Sequence, residues 1–259
     1  MKTTSILISS MVVQMKQTFS RPMYKMCLLI TPIFTTIMLA EMFKNSAAEN
    51  FTSYVVLGSG LMSFWSCTVF SSIGDINRER YSNTLAKIFV APSRFIDILI
   101  GKILGNTILS LVSFAVTLIT AMLLYGQPIV INNPFQFVLA YLAMFFCFVV
   151  VSIFFAYLLT LSRKTAILMN CLEIPLALIC GFAFPIEILP AWTKIFSYVL
   201  PQTWAVKLLR QGVAGVTNVE FGKTLIILVL VTAIFAIISL GLYKTIEKQI
   251  RVSASLEVA

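Results

Sequence analysis

Few side chains in this sequence are equipped for chemistry, and their placement narrows what that chemistry is. Histidine is absent, which removes imidazole bases, imidazole metal ligands and imidazole proton relays. The five cysteines (Cys27, Cys67, Cys147, Cys171 and Cys180) each fall in an apolar run with no paired spacing. They read as small hydrophobic residues, neither disulfides nor zinc ligands. Gly58-Ser59-Gly60 lacks the following Gly-Lys-Ser/Thr that lets a glycine loop hold phosphate. No serine has a plausible base and no acids pair within the apolar stretches, so an intramembrane enzyme is disfavoured. What remains is one acid, Glu173, deep in an apolar stretch with Asn170 one turn away. Beside it stand two rows of small polar residues at helical spacing: Ser59, Ser63 and Ser66, then Asn106, Ser110, Ser113, Thr117 and Thr120. Such rows mark either close helix packing or a polar path. A charge at mid-depth in hydrocarbon costs about 3 kcal/mol or more. Glu173 is therefore a protonated or hydrogen-bonded packing residue, or a group that meets a polar or cationic part of a cargo.

The elements that position these residues are membrane spans. Of the 259 residues, 59% are hydrophobic and 11% charged, too little polar surface to coat a soluble domain. A water-soluble enzyme and a disordered chain are both excluded. Six stretches are apolar over the roughly 20 residues that cross a bilayer: 26–43, 54–73, 103–125, 135–161, 165–184 and 222–243. The expected fold is a single all-α integral membrane domain over 1–259 with six transmembrane helices. Residues 1–25 precede the spans, and the start is not read as a cleaved signal because no small-residue cleavage site precedes Lys16. On a helix over 5–21, Leu7, Ile8, Met11, Val12, Met15 and Phe19 share one face. Ser9, Ser10, Gln14, Lys16, Gln17, Ser20 and Arg21 cover the other and Pro22 ends it, the pattern of a helix lying in the headgroup plane.

The net charge of +9 is read as topological, with no nucleic-acid partner. An even number of spans puts both termini on one side. That side carries fourteen Lys and Arg against five on the other. The positive-inside rule then places both termini in the cytoplasm, with the lipid bilayer of the cell membrane around the spans. The long cytoplasmic stretch is 74–102; the long external one is 185–221; the tail is 244–259. In the first, Leu85, Ile88 and Phe89 recur at i, i+3, i+4, with Thr84 ahead and Pro92 ending the run. This spacing predicts a short amphipathic helix docked on a partner or the membrane surface. In the second, Pro185 and Pro190 bracket Glu187 and break any helix there, and Trp192 opens an interfacial amphipathic run over 191–200. Backbone of that kind survives at membrane depth only under protein or water.

Glu79-Arg80, Thr84-Leu85, Ala91-Pro92 and Gly101-Lys102, in that order, resemble the stretch between the second and third spans of ABC type-2 transporter permeases. Gly181 to Trp192, followed by Leu200-Pro201-Gln202-Thr203 and Arg210, is similar to the same family's external re-entrant hairpin. The likeness covers about 70–245. Asn83 and Ala86 stand where the family often has a glycine and an acid. The resemblance implies a coupling helix at 78–93, with Glu79, Arg80, Thr84, Leu85, Ile88, Phe89 and Pro92 meeting an ATPase. It implies an external re-entrant hairpin between spans 5 and 6 holding Pro185, Glu187, Pro190, Trp192 and Pro201. It also implies a path lined from spans 2 and 5 by Ser59, Ser63, Ser66, Asn170 and Glu173. The chain itself would hold no cofactor and would not be an enzyme. ATP and Mg would be bound by a separate ABC ATPase in two copies, working with a second copy of this permease or a sister permease. Drug or antimicrobial-peptide export leads on this reading, polysaccharide or lipid-linked polymer export is the alternative, and an ATP-independent carrier or channel is the alternative from another class.

Overall fold

The computed structural model describes residues 3–43, 51–82, 95–126, 131–160 and 165–253. Among the described residues every regular element is helical. The chain begins with α1, Thr3–Phe19, and breaks at Ser20 and Arg21 before α2, Pro22–Met42. Pro22 makes this break. It forces Arg21 into extended backbone (φ −82°, ψ 124°) and then starts α2 at the position where a missing N–H costs nothing. Pro32 lies buried inside α2, where Thr36 Oγ1 donates to its carbonyl at 2.6 Å and Thr35 Oγ1 donates to Thr31 O at 2.9 Å. The span continues past the proline, as membrane helices tolerate.

The second span is a helical path of four pieces. A π-helical turn at Phe51–Val56 leads into α3, Leu57–Thr68, and a second π turn at Val69–Ile73 leads into α4, Gly74–Tyr81. Its apolar window, Tyr54–Ser72, is 89% buried, so this is the central helix of the bundle. Small residues put it there. A Cβ on Gly58 would lie 2.7 Å from Phe182 O, and one on Gly60 would lie 2.7 Å from the Phe114 ring. Trp65 and Phe64 pack edge-on against Phe148 with ring centroids 5.9 and 5.1 Å apart, at the heart of the core.

The remaining helices are α5 (Phe95–Tyr125), α6 (Pro134–Thr160), α7 (Thr165–Ile179), α8 (Ala191–Val199), α9 (Pro201–Ala214) and α10 (Asn218–Ser253). A 3-10 turn at Ile186–Ile188 sits between α7 and α8. The architecture is the all-α membrane bundle that the composition requires. Among the described residues, five helical stretches are long and apolar enough to cross a membrane: α2, Tyr54–Ser72, α5, α6 and α10. The stretch 165–184 differs from its expected length, since α7 stops at Ile179. Gly181 ends it in the left-handed region (φ +73°), with Phe182 N–H donating to Ala177 O and Gly181 N–H to Leu178 O. α5 and α10 run longer than their apolar cores. The former starts at Phe95, seven residues before Lys102, and the latter continues to Ser253 through the basic tail.

The first helix also differs in the face it uses. Gln14, placed on its polar side by the sequence pattern, is buried, and so is Thr18 one turn on, which the pattern assigned to neither face. They face α5, where Gly101 and Gly105 admit the backbone of α1: a Cβ at either would stand 2.7 Å from Leu7 O or Met11 O. Ile8, Val12, Val13 and Phe19 stay exposed. Periodicity finds two faces but does not say which one another helix takes.

Candidate functional site

At mid-bundle, α2, the second span and α7 leave a groove of about 440 Å³. Apolar side chains of Met23, Met26, Ile30 and Phe70 form much of its wall, and Glu173 and Ser66 supply polar groups. Ser66 Oγ donates to Glu173 Oε1 at 2.5 Å and lies 3.6 Å from Cys27 Sγ. Trp65 Nε1 donates to the Glu173 carbonyl at 3.1 Å, which fixes α7 against α3 at this level. The carboxylate is therefore positioned by the same helix contact that builds the core.

Of the residues expected to line a path, Ser66 and Glu173 meet in this groove. Ser63 and Ser59 lie one and two turns back toward the start of α3, fully buried against α2. Ser59 Oγ takes the Thr36 hydroxyl at 3.3 Å, and Ser63 Oγ lies 3.0 Å from Thr35 Oγ1. The Asn170 side chain lies outside the described residues. The row on α5 is wholly buried as well, with Ser110 Oγ 3.2 Å from the Tyr24 hydroxyl. Hydroxyls at helical spacing mark helix contacts here, and only the last serine of the α3 row reaches the groove.

Where α2 begins and the second span ends, the structure brings together charges that sequence spacing does not connect. Asp75, 5% exposed, receives Arg21 Nη1 and Arg78 Nη1 on Oδ1, each at 2.6 Å. Its Oδ2 accepts from Asn106 Nδ2 at 3.1 Å and from Gln14 Nε2. Thr18 Oγ1 donates to Asn106 Oδ1 at 2.8 Å and closes the network. Burial pushes the Asp75 carboxyl above its ordinary range, and Arg21, Asn106 and Lys102 pull it back down. Glu79 of α4 pairs with Lys102 of α5. Arg80 is in α4, with a side chain outside the described residues; Thr84, Leu85, Ile88, Phe89 and Pro92 lie outside them entirely. The partners of Asp75 stand 61 and 31 residues away in sequence, at Gln14 and Asn106. No sequence signal joined them, since Gln14, Asp75 and Asn106 each sit among other polar residues of their own segment.

The opposite end of the bundle is closed by α8 and α9. Pro185 caps the turn that holds Glu187, Pro190 caps α8 and Pro201 opens α9. α8 turns Thr193 and Ser197 inward, with Ser197 Oγ donating to Ile179 O at 2.7 Å, and leaves Trp192, Ile195, Phe196 and Val199 exposed. α9 contributes Ala205, Val206, Leu208 and Leu209 to the main core. Arg210 ties these pieces together. Its Nη2 donates to Gly181 O at 2.9 Å and Phe182 O at 3.0 Å, and its guanidinium lies 4.4 Å from the Tyr54 ring centroid. Burial lowers Arg210 to about 10, with Tyr54 and Glu187 acting against the shift, so it stays charged at neutral pH. The carbonyls just past the α7 C-terminus are a natural partner for that charge.

A largely apolar groove holding one carboxylate, a cluster of charges at one end and a helical cap at the other describe a polytopic helical protein and suit one of the transport class. The family model for the ABC-2 type transporter matches residues 7–214, and the chain belongs to that family. It is thus the transmembrane component of a transporter of that kind, and such permeases normally work with an ABC ATPase. No curated protein matches the chain.

Proposed function

We propose that this chain is the permease subunit of an ABC exporter in the cell membrane, with both termini cytoplasmic, and that it forms the path of an amphipathic drug or antimicrobial peptide. The observation that carries the cargo reading is the Glu173 carboxylate, half-buried on the wall of a largely apolar groove with Ser66 as its hydrogen-bond partner. A cationic amphiphile sets its amine against that carboxylate and its apolar body against Met23, Met26, Ile30 and Phe70. Asn170 joins this pair on sequence pattern, while Ser59 and Ser63 shape the path by holding α3 to α2. A carboxylate turned toward hydrocarbon is costly, so a second copy of the permease, or a sister permease, covers the open side of the groove.

The Asp75 end is cytoplasmic on this reading and the Arg210 end is external. Residues 78–93, with Glu79, Arg80, Thr84, Leu85, Ile88, Phe89 and Pro92, dock on two copies of an ABC ATPase that bind ATP and Mg. Pro185, Glu187, Pro190, Trp192 and Pro201 belong to a re-entrant hairpin in the outer leaflet. ATP hydrolysis in the partner selects between two arrangements of the permease pair. The test is cargo-stimulated ATP hydrolysis by the purified complex, carrying Glu173→Gln or Glu173→Leu. Glu173→Gln keeps a partner for Ser66 but loses the charge, and it is expected to weaken a cationic cargo about tenfold, or ~1.4 kcal/mol. Glu173→Leu is expected to abolish the stimulation. Unchanged stimulation in both variants sinks the assignment.

A further inference from the structure

The Arg21–Asp75–Arg78 cluster stands at the meeting point of the groove, the first helix and α4. Both guanidiniums end on the same oxygen of a single carboxylate, 2.6 Å away in each case. One comes from the break between α1 and α2, the other from α4, and both line the groove that holds Glu173. On their far side is a separate polar cavity of about 360 Å³, also lined by Arg21, Asp75 and Arg78. The pair therefore forms the partition between two open spaces.

The rest of the cluster is stiff. Asp75 Oδ2 is bonded to Asn106 of α5 and Gln14 of α1, and the backbone of α1 is seated on Gly101 and Gly105 with no room for a methyl group. The arginines have more freedom, with side chains 25% and 45% exposed. When two cations share one carboxylate oxygen, either can leave while the carboxylate stays paired. Isolating a buried charge is the costly event, and this arrangement avoids it. A small displacement of α4 then chooses between two discrete arrangements.

We propose that Arg21 and Arg78 form the cytoplasmic gate of the Glu173 groove, and that Asp75 is the positioning residue that holds them across its mouth until α4 is displaced. This rests on the ATP-driven reading above for what displaces α4, but not for the gate itself. In the held state two guanidiniums face the groove mouth for one carboxylate, which screens the groove from cytoplasmic cations. In the released state one arginine turns to water or a lipid phosphate and the mouth opens.

Cys27 lines the groove beyond the gate and is a reporter already in place. Inverted membrane vesicles containing the full-length protein and its native partners are treated with a cationic, membrane-impermeant methanethiosulfonate. Modification at Cys27 is then followed by peptide mass spectrometry. Asp75→Asn is expected to raise the labelling rate at least fivefold, while Asp75→Glu stays within twofold of the parent. A non-hydrolysable ATP analogue is expected to change the rate in the parent and not in Asp75→Asn. If Asp75→Asn fails to fold, Arg78→Gln, which leaves the Arg21 pair intact, carries the same expectation. Equal rates in a folded gate variant and the parent overturn the proposal, as does a Cys27 that stays unlabelled in every variant. A parent that ignores the nucleotide while Asp75→Asn labels faster supports the gate and refutes the ATP-driven reading.

Discussion

Replacing Gly105 by alanine tests how α1 is held, and its cost is readable from the geometry. A new Cβ there would stand 2.7 Å from Met11 O and 3.2 Å from the side chains of Met11 and Met15. The methionines can give way, but the carbonyl belongs to the backbone of α1. The two helices must separate by several tenths of an ångström for ordinary contact. Overpacking of this kind costs about 1–3 kcal/mol, while exchanging a helical glycine for alanine returns about 1 kcal/mol in propensity. The net expectation is a loss of about 0–2 kcal/mol, concentrated at the α1–α5 contact and the Gln14–Thr18–Asn106 bonds beside it. Gly222, inside α10, has nothing within 4 Å of its would-be Cβ, so Gly222→Ala supplies the propensity gain alone. The assay is thermal unfolding of the detergent-solubilised protein, with amide hydrogen exchange over residues 3–19. Gly105→Ala is expected to melt below Gly222→Ala and to speed exchange in α1. Equal melting temperatures with unchanged exchange refute the claim that backbone contact holds this helix.

Removing Arg210 leaves the Gly181 and Phe182 carbonyls and the Tyr54 ring without their cation. Charged hydrogen bonds of this kind are worth about 1.5–3 kcal/mol, so Arg210→Met is expected to lower the melting temperature and loosen residues 181–190 in hydrogen exchange; unaltered exchange there counts against the role. In the proposed docking segment, Leu85→Asp or Phe89→Asp is expected to release the ATPase or to leave its hydrolysis unresponsive to cargo. Normal turnover by an intact complex places the docking surface elsewhere.

The fold class was legible because composition alone forces it: with 59% hydrophobic residues, apolar side chains must face lipid. In α10 they do, its apolar window being 17% buried. Boundaries were less legible. The apolar run 165–184 conceals a helix end, because the conformation of Gly181 and not its hydropathy stops α7. The groove was half legible. A helical row of serines marks one face of α3, but a face has length. Ser59 and Ser63 meet the threonines of α2, while Ser66 stands level with Glu173. The Asp75 cluster was the least legible part. Each member fits its own helix as an ordinary polar residue, and only the contacts among α1, α4 and α5 show that they share one carboxylate.

The central claim is that this chain is a membrane path with its engine in another protein. Reconstituting the purified chain alone in liposomes, with ATP and Mg, tests it most directly. Neither ATP hydrolysis nor movement of a cationic amphiphile is expected until the ABC ATPase is added, when both begin. Hydrolysis or transport by the chain alone contradicts the account.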